Sequence, residues 1–181
     1  MAFLAETLVD EWLNRQGYFT VRGLKDGVSE IDLLGVRSGS DGLEACHVEV
    51  QASFRPVGYI TPIAKGHLSG FAKSRTSAKA RPAELLQRSV ADWVEKKFTS
   101  RGKVATRERA WPGLSWQYVF VHAVVREPFE LSLIANHGIK VVPFHAVLHQ
   151  LKHVPTSQRG GAGTDISEIV EYFAMHSTSA T

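Results

Sequence analysis

Apolar positions along this chain change period several times, and each change marks an element. In residues 3–16, Leu4, Leu8, Val9, Trp12 and Leu13 recur at three- and four-residue spacing, the stripe of a helix with one buried face. Gly17 stands where glycine commonly ends a helix. Tyr18 to Arg22 then reads as a strand, followed by a Gly/Asp-containing connection through Gly27. Residues 30–37 and 44–52 are strand-like and are separated by Ser38, Gly39, Ser40, Asp41, Gly42 and Leu43, a run of turn composition. The two segments therefore predict a β-hairpin.

Residues 53–81 resist assignment, because Pro56, Gly58, Pro62, Gly66 and Gly70 interrupt any long element, and Ser, Lys and Arg dominate 73–81. A long irregular stretch inside a compact domain tends to be functional or disordered. From Pro82, a residue well placed near a helix start, Leu85, Leu86, Val90, Trp93, Val94 and Phe98 restore helical spacing. Trp116 to Val125 is a near-continuous apolar run of β-forming residues, which predicts a buried central strand. A short helix at about 128–137, a second buried strand at Ile139 to Pro143 and a helix at 144–153 follow. The order αβββ, then α, β, α, β, α predicts an α/β fold with a mixed central β-sheet flanked by helices. Residues 155–164 read as a Pro/Gly/Ser linker. Asp165 to Glu168 then has the form of a capping box, with an apolar stripe at Ile166, Ile169, Val170 and Phe173. The expected organisation is one domain over 1–154 and a tail over 155–181, a linker and amphipathic C-terminal helix that docks on the core or on a second subunit.

A length of 181 residues suits one such domain with a real core. No apolar run approaches the roughly 20 residues of a membrane span, and no basic-then-apolar leader opens the sequence. The single cysteine, Cys46, shares strand parity with Val48 and Val50 and reads as core. One cysteine forms no intramolecular disulfide, which agrees with a reducing compartment and an expected cytoplasmic location. The net charge of +3 hides an asymmetry: from Arg55 to Arg109 there are 13 Lys or Arg against 4 Asp or Glu, so that span carries +9 and the remainder about −6. A basic middle suits an anionic polymer, although scattered Lys and Arg also serve simply to keep a surface wet.

The candidate chemistry lies in the hairpin. If Arg37 pairs with Glu44, Asp32 falls directly opposite Glu49, with Cβ atoms roughly 5 Å apart. Like charges there are destabilising, and a divalent cation between them is the natural remedy. Val48 and Val50 would anchor the strand in the core, leaving His47, Glu49 and Gln51 on the other side. The first helix carries Glu6, Asp10 and Glu11, and Glu6 lies off its apolar face.

Helix-borne Glu6, the strand Glu30-Ile31-Asp32-Leu33-Leu34 and the strand His47-Val48-Glu49-Val50-Gln51 together resemble the PD-(D/E)XK nuclease superfamily. The resemblance covers roughly residues 3–52 and, more loosely, the later α/β order. The spacing of Glu6 to Gly17 is similar to that of archaeal Holliday-junction resolvases. The resemblance implies a restriction-endonuclease-like fold and a Mg²⁺- or Mn²⁺-dependent nuclease acting on DNA. Asp32, Glu49 and the Val50 carbonyl would hold the metal, supported by Glu6. Gln51 stands in the family's lysine position, an E-x-Q variant also found among restriction-type and Mrr-like members. A glutamine can orient a water but carries no charge and is no base at neutral pH, so activation of the water would fall to the metal. Arg55, Lys65, Lys73, Arg75 and Lys79 would neutralise the nucleic-acid backbone, and Lys65 could also replace the missing cation. A homodimer is a further expectation, since two strands are most easily cut by two sites. The rival readings are a catalytically silent nuclease-like module that binds nucleic acid or a partner protein, and an interaction protein with no nucleic-acid role.

Other signals rank lower. His145, His149 and His153 share a helix face opposite Phe144, Leu148 and Leu151, which predicts a wet surface rather than a zinc site. Gly160 to Thr164 lacks the Lys-Ser/Thr ending of a phosphate loop and reads as linker. Trp111, Trp116 and Tyr118 could stack on bases, but Trp116 and Tyr118 fit strand packing better.

Overall fold

Helix α1 (Ala2–Arg15) ends where glycine was expected to end it. Gly17 has φ 83°, and the Tyr18 and Gly17 amides donate to the Leu13 and Asn14 carbonyls at 3.1 and 2.9 Å. This crossed pair satisfies the last turn's open carbonyls and requires a left-handed residue that only glycine adopts without strain. In this computed structural model the described residues are 2–153, apart from Val28, Phe54, Pro56, Val57, Lys65, Ser69 and Gly70, together with Glu168. The proposed linker and its apolar stripe lie outside the described residues.

Three antiparallel strands follow: β1 (Phe19–Asp26), β2 (Ser29–Gly39) and β3 (Gly42–Gln51). The hairpin turn is tighter than its composition suggested. Gly39 pairs with Gly42, leaving only Ser40 and Asp41 between the strands. Strands β4 (Trp116–His122) and β5 (Ile139–Pro143) add in parallel, giving a five-stranded mixed sheet in the order β1-β2-β3-β4-β5. The apolar run to Val125 leaves the sheet early, at His122, where both neighbours stop. Gln51 is the last residue of β3, and Pro143, which has no N–H, ends β5.

The sheet is covered on both faces. On one, Ala5, Leu8, Val9, Trp12 and Leu13 of α1 pack with Phe144, Val147 and Leu151 of α5 (Phe144–His153) over Leu33, Cys46, Val48, Val119 and Val121. Each such side chain, fully buried, stabilises the fold by roughly 1.5–3 kcal/mol. The Trp12 indole donates to Gln150 at 2.6 Å, and Arg15 donates to the Leu151 carbonyl at 2.7 Å, fixing α1 against α5. On the opposite face, α2 (Ala83–Val94) and α4 (Pro128–Ala135) pack through Leu86, Val90, Trp93, Val94, Leu133 and Ile134 onto Phe120 and Ile139.

Between β3 and β4 the chain departs from simple periodicity. The expected helix from Pro82 through Phe98 is α-helical only to Val94. Glu95–Thr99 is a π-helical turn, closed by the Ser100 amide on the Glu95 carbonyl at 2.7 Å. A further helix, α3 (Arg101–Ala110), then runs beside β1 and β2. Its buried residues are Lys103, Thr106 and Arg107, so its inward face is polar and no apolar stripe announced it.

The irregular stretch before α2 is pinned rather than loose at its described residues. Glu130, fully buried on α4, accepts the Ile60 and Thr61 amides at 2.6 and 2.9 Å and the Thr61 hydroxyl at 2.5 Å. Arg75 Nε donates to the Ile63 carbonyl and the Ile63 amide donates back to the Arg75 carbonyl, both at 2.7 Å. Arg81 stacks over Tyr59 at 3.9 Å and donates to the Thr61 carbonyl at 2.8 Å. Removing the Glu130 carboxylate strands three buried donors, each of which costs about 1–3 kcal/mol. Glu130→Ala should therefore lower stability by about 3 kcal/mol or more, read as a lower urea midpoint, whereas Glu84→Ala on the exposed face of α2 should change it little.

Candidate active site

The hairpin register places the two carboxylates together. Arg37 pairs with Glu44, held also by an ion pair of 2.6 Å, and the ladder runs on to Leu33 opposite Val48. One step further, Asp32 faces Glu49 on the side of the sheet away from α1, while Leu33 and Val48 enter the α1–α5 core. Asp32 Oδ2 accepts the Val50 amide at 2.8 Å, which locks its carboxylate against β3.

Glu49 is buried to 1% exposure, yet it is surrounded by donors. Lys97 Nζ lies 2.5 Å from Oε2, and Lys103 Nζ lies 2.6 Å from Oε1. His47 Nε2 is 3.1 Å from Oε1. Lys103 also donates to the Glu30 carbonyl. Arg107 Nη1 lies 2.9 Å from His47 Nδ1 and 2.7 Å from the Phe98 carbonyl, and its Nη2 reaches the Tyr118 hydroxyl at 3.1 Å. A guanidinium only donates, so Nδ1 of His47 must accept and its proton must sit on Nε2. His47 thus donates to Glu49 as a neutral imidazole.

The electrostatics follow from this geometry. Burial raises the Glu49 pKa, but the His47 hydrogen bond and the charges of Lys97 and Lys103 outweigh it and bring it to about 2. Burial pushes His47 down to about 4, against the opposing pull of Glu49. Asp32 moves the other way: burial first, then the Glu49 charge, raise it to about 6. Lys97 and the Val50 amide offset only part of that rise, and the Glu6 charge adds to it. Burial disfavours the charge on Lys97, but Glu49, Asp32 and Glu6 hold its pKa above the ordinary lysine value.

Asp32 and Glu49 thus share one charge network with Lys97, and the charge of Glu6 on α1 acts on Asp32 and Lys97. The other acidic residues of α1 serve the scaffold. Asp10 takes the Thr20 hydroxyl and pairs with Arg22 at 3.5 Å, and Glu11 pairs with Arg15 at 2.8 Å. Gln51, half-buried at the end of β3, shares the Glu49 side of the strand and pairs in register with His122. Among the basic residues, Arg55 and Lys73 are exposed. Lys79 is exposed too, although its ammonium donates to the Phe71 carbonyl at 3.1 Å. Arg75 is turned into its own loop by the Ile63 bonds, so it reads as a loop tie rather than a phosphate contact. Lys65 lies outside the described residues. His145 and His149 are exposed on α5, and Cys46 is buried with its thiol pushed up to about 11 by burial.

Sequence reasoning missed Lys97, Lys103, His47 and Arg107 as members of the site. One signal was present: Lys97 follows Trp93 by four residues and Val94 by three, so it falls on the apolar stripe, where a lysine needs a buried anion.

Among the described residues no group of three His, Cys, Asp or Glu converges as metal ligands. None of their helices is long and apolar enough to cross a membrane. No protein-family model, curated protein or solved structure matches this chain.

The raised Asp32 pKa has a stability consequence. Between about pH 4 and 6 the folded state keeps a proton on Asp32 that the unfolded chain releases, so this group's contribution to stability is lost as pH rises through about 6. Asp32→Asn, which keeps an acceptor for the Val50 amide, should be more stable than wild type at pH 8, and the advantage should shrink toward pH 4. Urea titrations at the two pH values measure this, and an advantage that does not change with pH contradicts it.

Proposed function

We propose that this protein is a metal-dependent nuclease of the PD-(D/E)XK type that hydrolyses DNA phosphodiester bonds. The observation that carries the reading is the convergence of Asp32 and Glu49 on one sheet face with Lys97 bonded to Glu49 Oε2 at 2.5 Å. The αβββ start, with β4 added parallel to β3, supports a restriction-endonuclease-like arrangement. Lys97 supplies from the π-helical turn the cation that Gln51 does not provide, and π-turns are frequent at functional sites.

The donor set fits a hard cation that keeps several waters. Among the described residues it offers the carboxylates of Asp32 and Glu49, while His47 donates to Glu49 and is no free ligand, and such oxygen donors suit Mg²⁺ or Mn²⁺ rather than zinc. Burial, and after it the Glu49 charge, raises the Asp32 pKa beyond what Lys97 and the Val50 amide offset, so an added cation there would favour its ionised form. When bound between Asp32 and Glu49, the metal would supply Lewis acidity toward a phosphodiester oxygen. Asp32 and Glu49 position that charge, and Glu6 adds to the negative field that attracts it. Lys97 stands ready to neutralise charge developing on the phosphate. Gln51 offers an amide that orients water at the strand end. Arg55, Lys73 and Lys79 supply exposed positive charge for the nucleic-acid backbone.

One observation favours a second reading. The two oxygens of Glu49 already meet three donors, so a metal must displace Lys97 from Oε2. If Lys97 holds its place, the cluster is a structural charge network in a module that binds nucleic acid without cutting it.

Plasmid nicking with Mg²⁺ or Mn²⁺ separates the two. The nuclease reading expects nicking that is abolished by Asp32→Ala and slowed about 100-fold or more by Lys97→Met, in line with loss of a transition-state donor. Both variants should still retain DNA on a column at low salt, with retention falling steeply as salt rises. Salt-sensitive retention with no nicking in either metal assigns the binding module instead. Absence of retention at low salt overturns both.

A further inference from the structure

One titratable side chain on the site's face has no part in the Glu49 network. His122 is the last residue of β4 and pairs in register with Gln51, the last residue of β3. Paired residues of parallel strands point to the same face, so Tyr118, Phe120 and His122 line up beside His47, Glu49 and Gln51. The carboxyl ends of parallel strands are where open α/β sheets bind ligands. Beyond Gln51 and His122 the strands part, with one bond of 3.3 Å from the Val124 amide to the Ser53 carbonyl.

The state of the imidazole follows from its partners. His122 Nδ1 lies 2.9 Å from the Ala123 carbonyl, and a carbonyl only accepts. The proton therefore sits on Nδ1, which leaves Nε2 with its lone pair. Phe120, fully buried, stacks on the ring at 28° and 6.0 Å between centroids, and so sets its plane. Among the described residues no hydrogen bond reaches Nε2, while Nδ1 is taken by the Ala123 carbonyl. Only 8% of the residue is exposed, and burial, assisted by the nearby His145, lowers its pKa, so the neutral ring is the resident form.

We propose that His122 is a further catalytic residue: its Nε2 accepts a hydrogen bond from the attacking water and takes that proton as the water oxygen bonds to phosphorus and the bond to the leaving oxygen breaks, the leaving oxygen being protonated from solvent, while the Gln51 side chain holds that water from the neighbouring strand. The inference rests on the nuclease reading above. It also gives Gln51 a partner, because an amide can orient a water but accepts its proton poorly. Held between an amide and a neutral imidazole, the water keeps one lone pair free for the phosphorus, the arrangement that positioned attack requires.

The test compares His122→Ala and His122→Gln with wild type in Mn²⁺-supported plasmid nicking, alongside DNA retention and thermal unfolding. The expected result is a fall in kcat of about 100-fold in both variants, the size usual for loss of a positioned acid–base group. DNA retention should hold, and imidazole in the buffer should restore part of the His122→Ala rate. A structural role predicts otherwise: activity lost together with thermal stability and not rescued by imidazole. That outcome, or a His122→Ala rate within threefold of wild type, overturns the assignment while leaving the nuclease reading in place. Failure of wild type to nick at all removes the nuclease reading and the role of His122 with it.

Discussion

Glu49 is the constraint around which the polar half of this protein is organised. A carboxylate taken out of water is expensive unless charge and hydrogen bonds surround it. Here His47 comes from its own strand, Lys97 from the π-helical turn and Lys103 from α3, and together they hold it ionised far below the usual carboxylate range. Arg107 extends the network by fixing the His47 tautomer. One side chain thereby ties the hairpin to two helical elements that sequence separates from it by about fifty residues.

The two faces of the sheet use different physics. The α1–α5 face is an apolar layer of Leu, Val, Trp and Phe, stabilised by burial and held in register by two long-range hydrogen bonds. Near Glu49 the opposite face replaces that layer with ion pairs, whose worth depends on geometry rather than on area. Asp32 stands at the edge of this arrangement, paired to the Val50 amide but repelled by Glu49 and Glu6. It is the member of the cluster whose charge the protein does not fully compensate, and so the one through which an added cation would be felt most.

The π-helical turn joins these layers. Phe98 is fully buried and meets Trp93 edge-on and Tyr118 and His47 at tilted angles, while its carbonyl accepts from Arg107. The adjacent Lys97 reaches Glu49 from a side chain still one-third exposed. The same turn therefore places Phe98 in the aromatic core and Lys97 against Glu49.

Much of the scaffold was legible from residue pattern. The α1 stripe, the Gly17 stop, the hairpin, the strand at Ile139 to Pro143 and helix α5 all follow from local periodicity and turn chemistry, which act over a few residues, although that strand is an edge strand with only Ile139 and Val142 buried rather than the buried strand expected. The sequence offered the pairing of Arg37 with Glu44 as a condition; the two-residue turn meets it, and side-chain alternation beyond Leu33 and Val48 then sets Asp32 against Glu49. Helix α3 was invisible because its buried face is Lys103, Thr106 and Arg107, residues that hydrophobic periodicity assigns to solvent. The partners of Glu49 were likewise hidden, since an ion pair between residues 49 and 97 or 103 leaves no trace in local spacing. Sequence alone determined which residues share a strand face or a helix stripe, because covalent geometry fixes those periods. Only the tertiary structure decided which lysines answer the buried glutamate, because that depends on how distant elements pack and on where burial makes an unpaired charge intolerable.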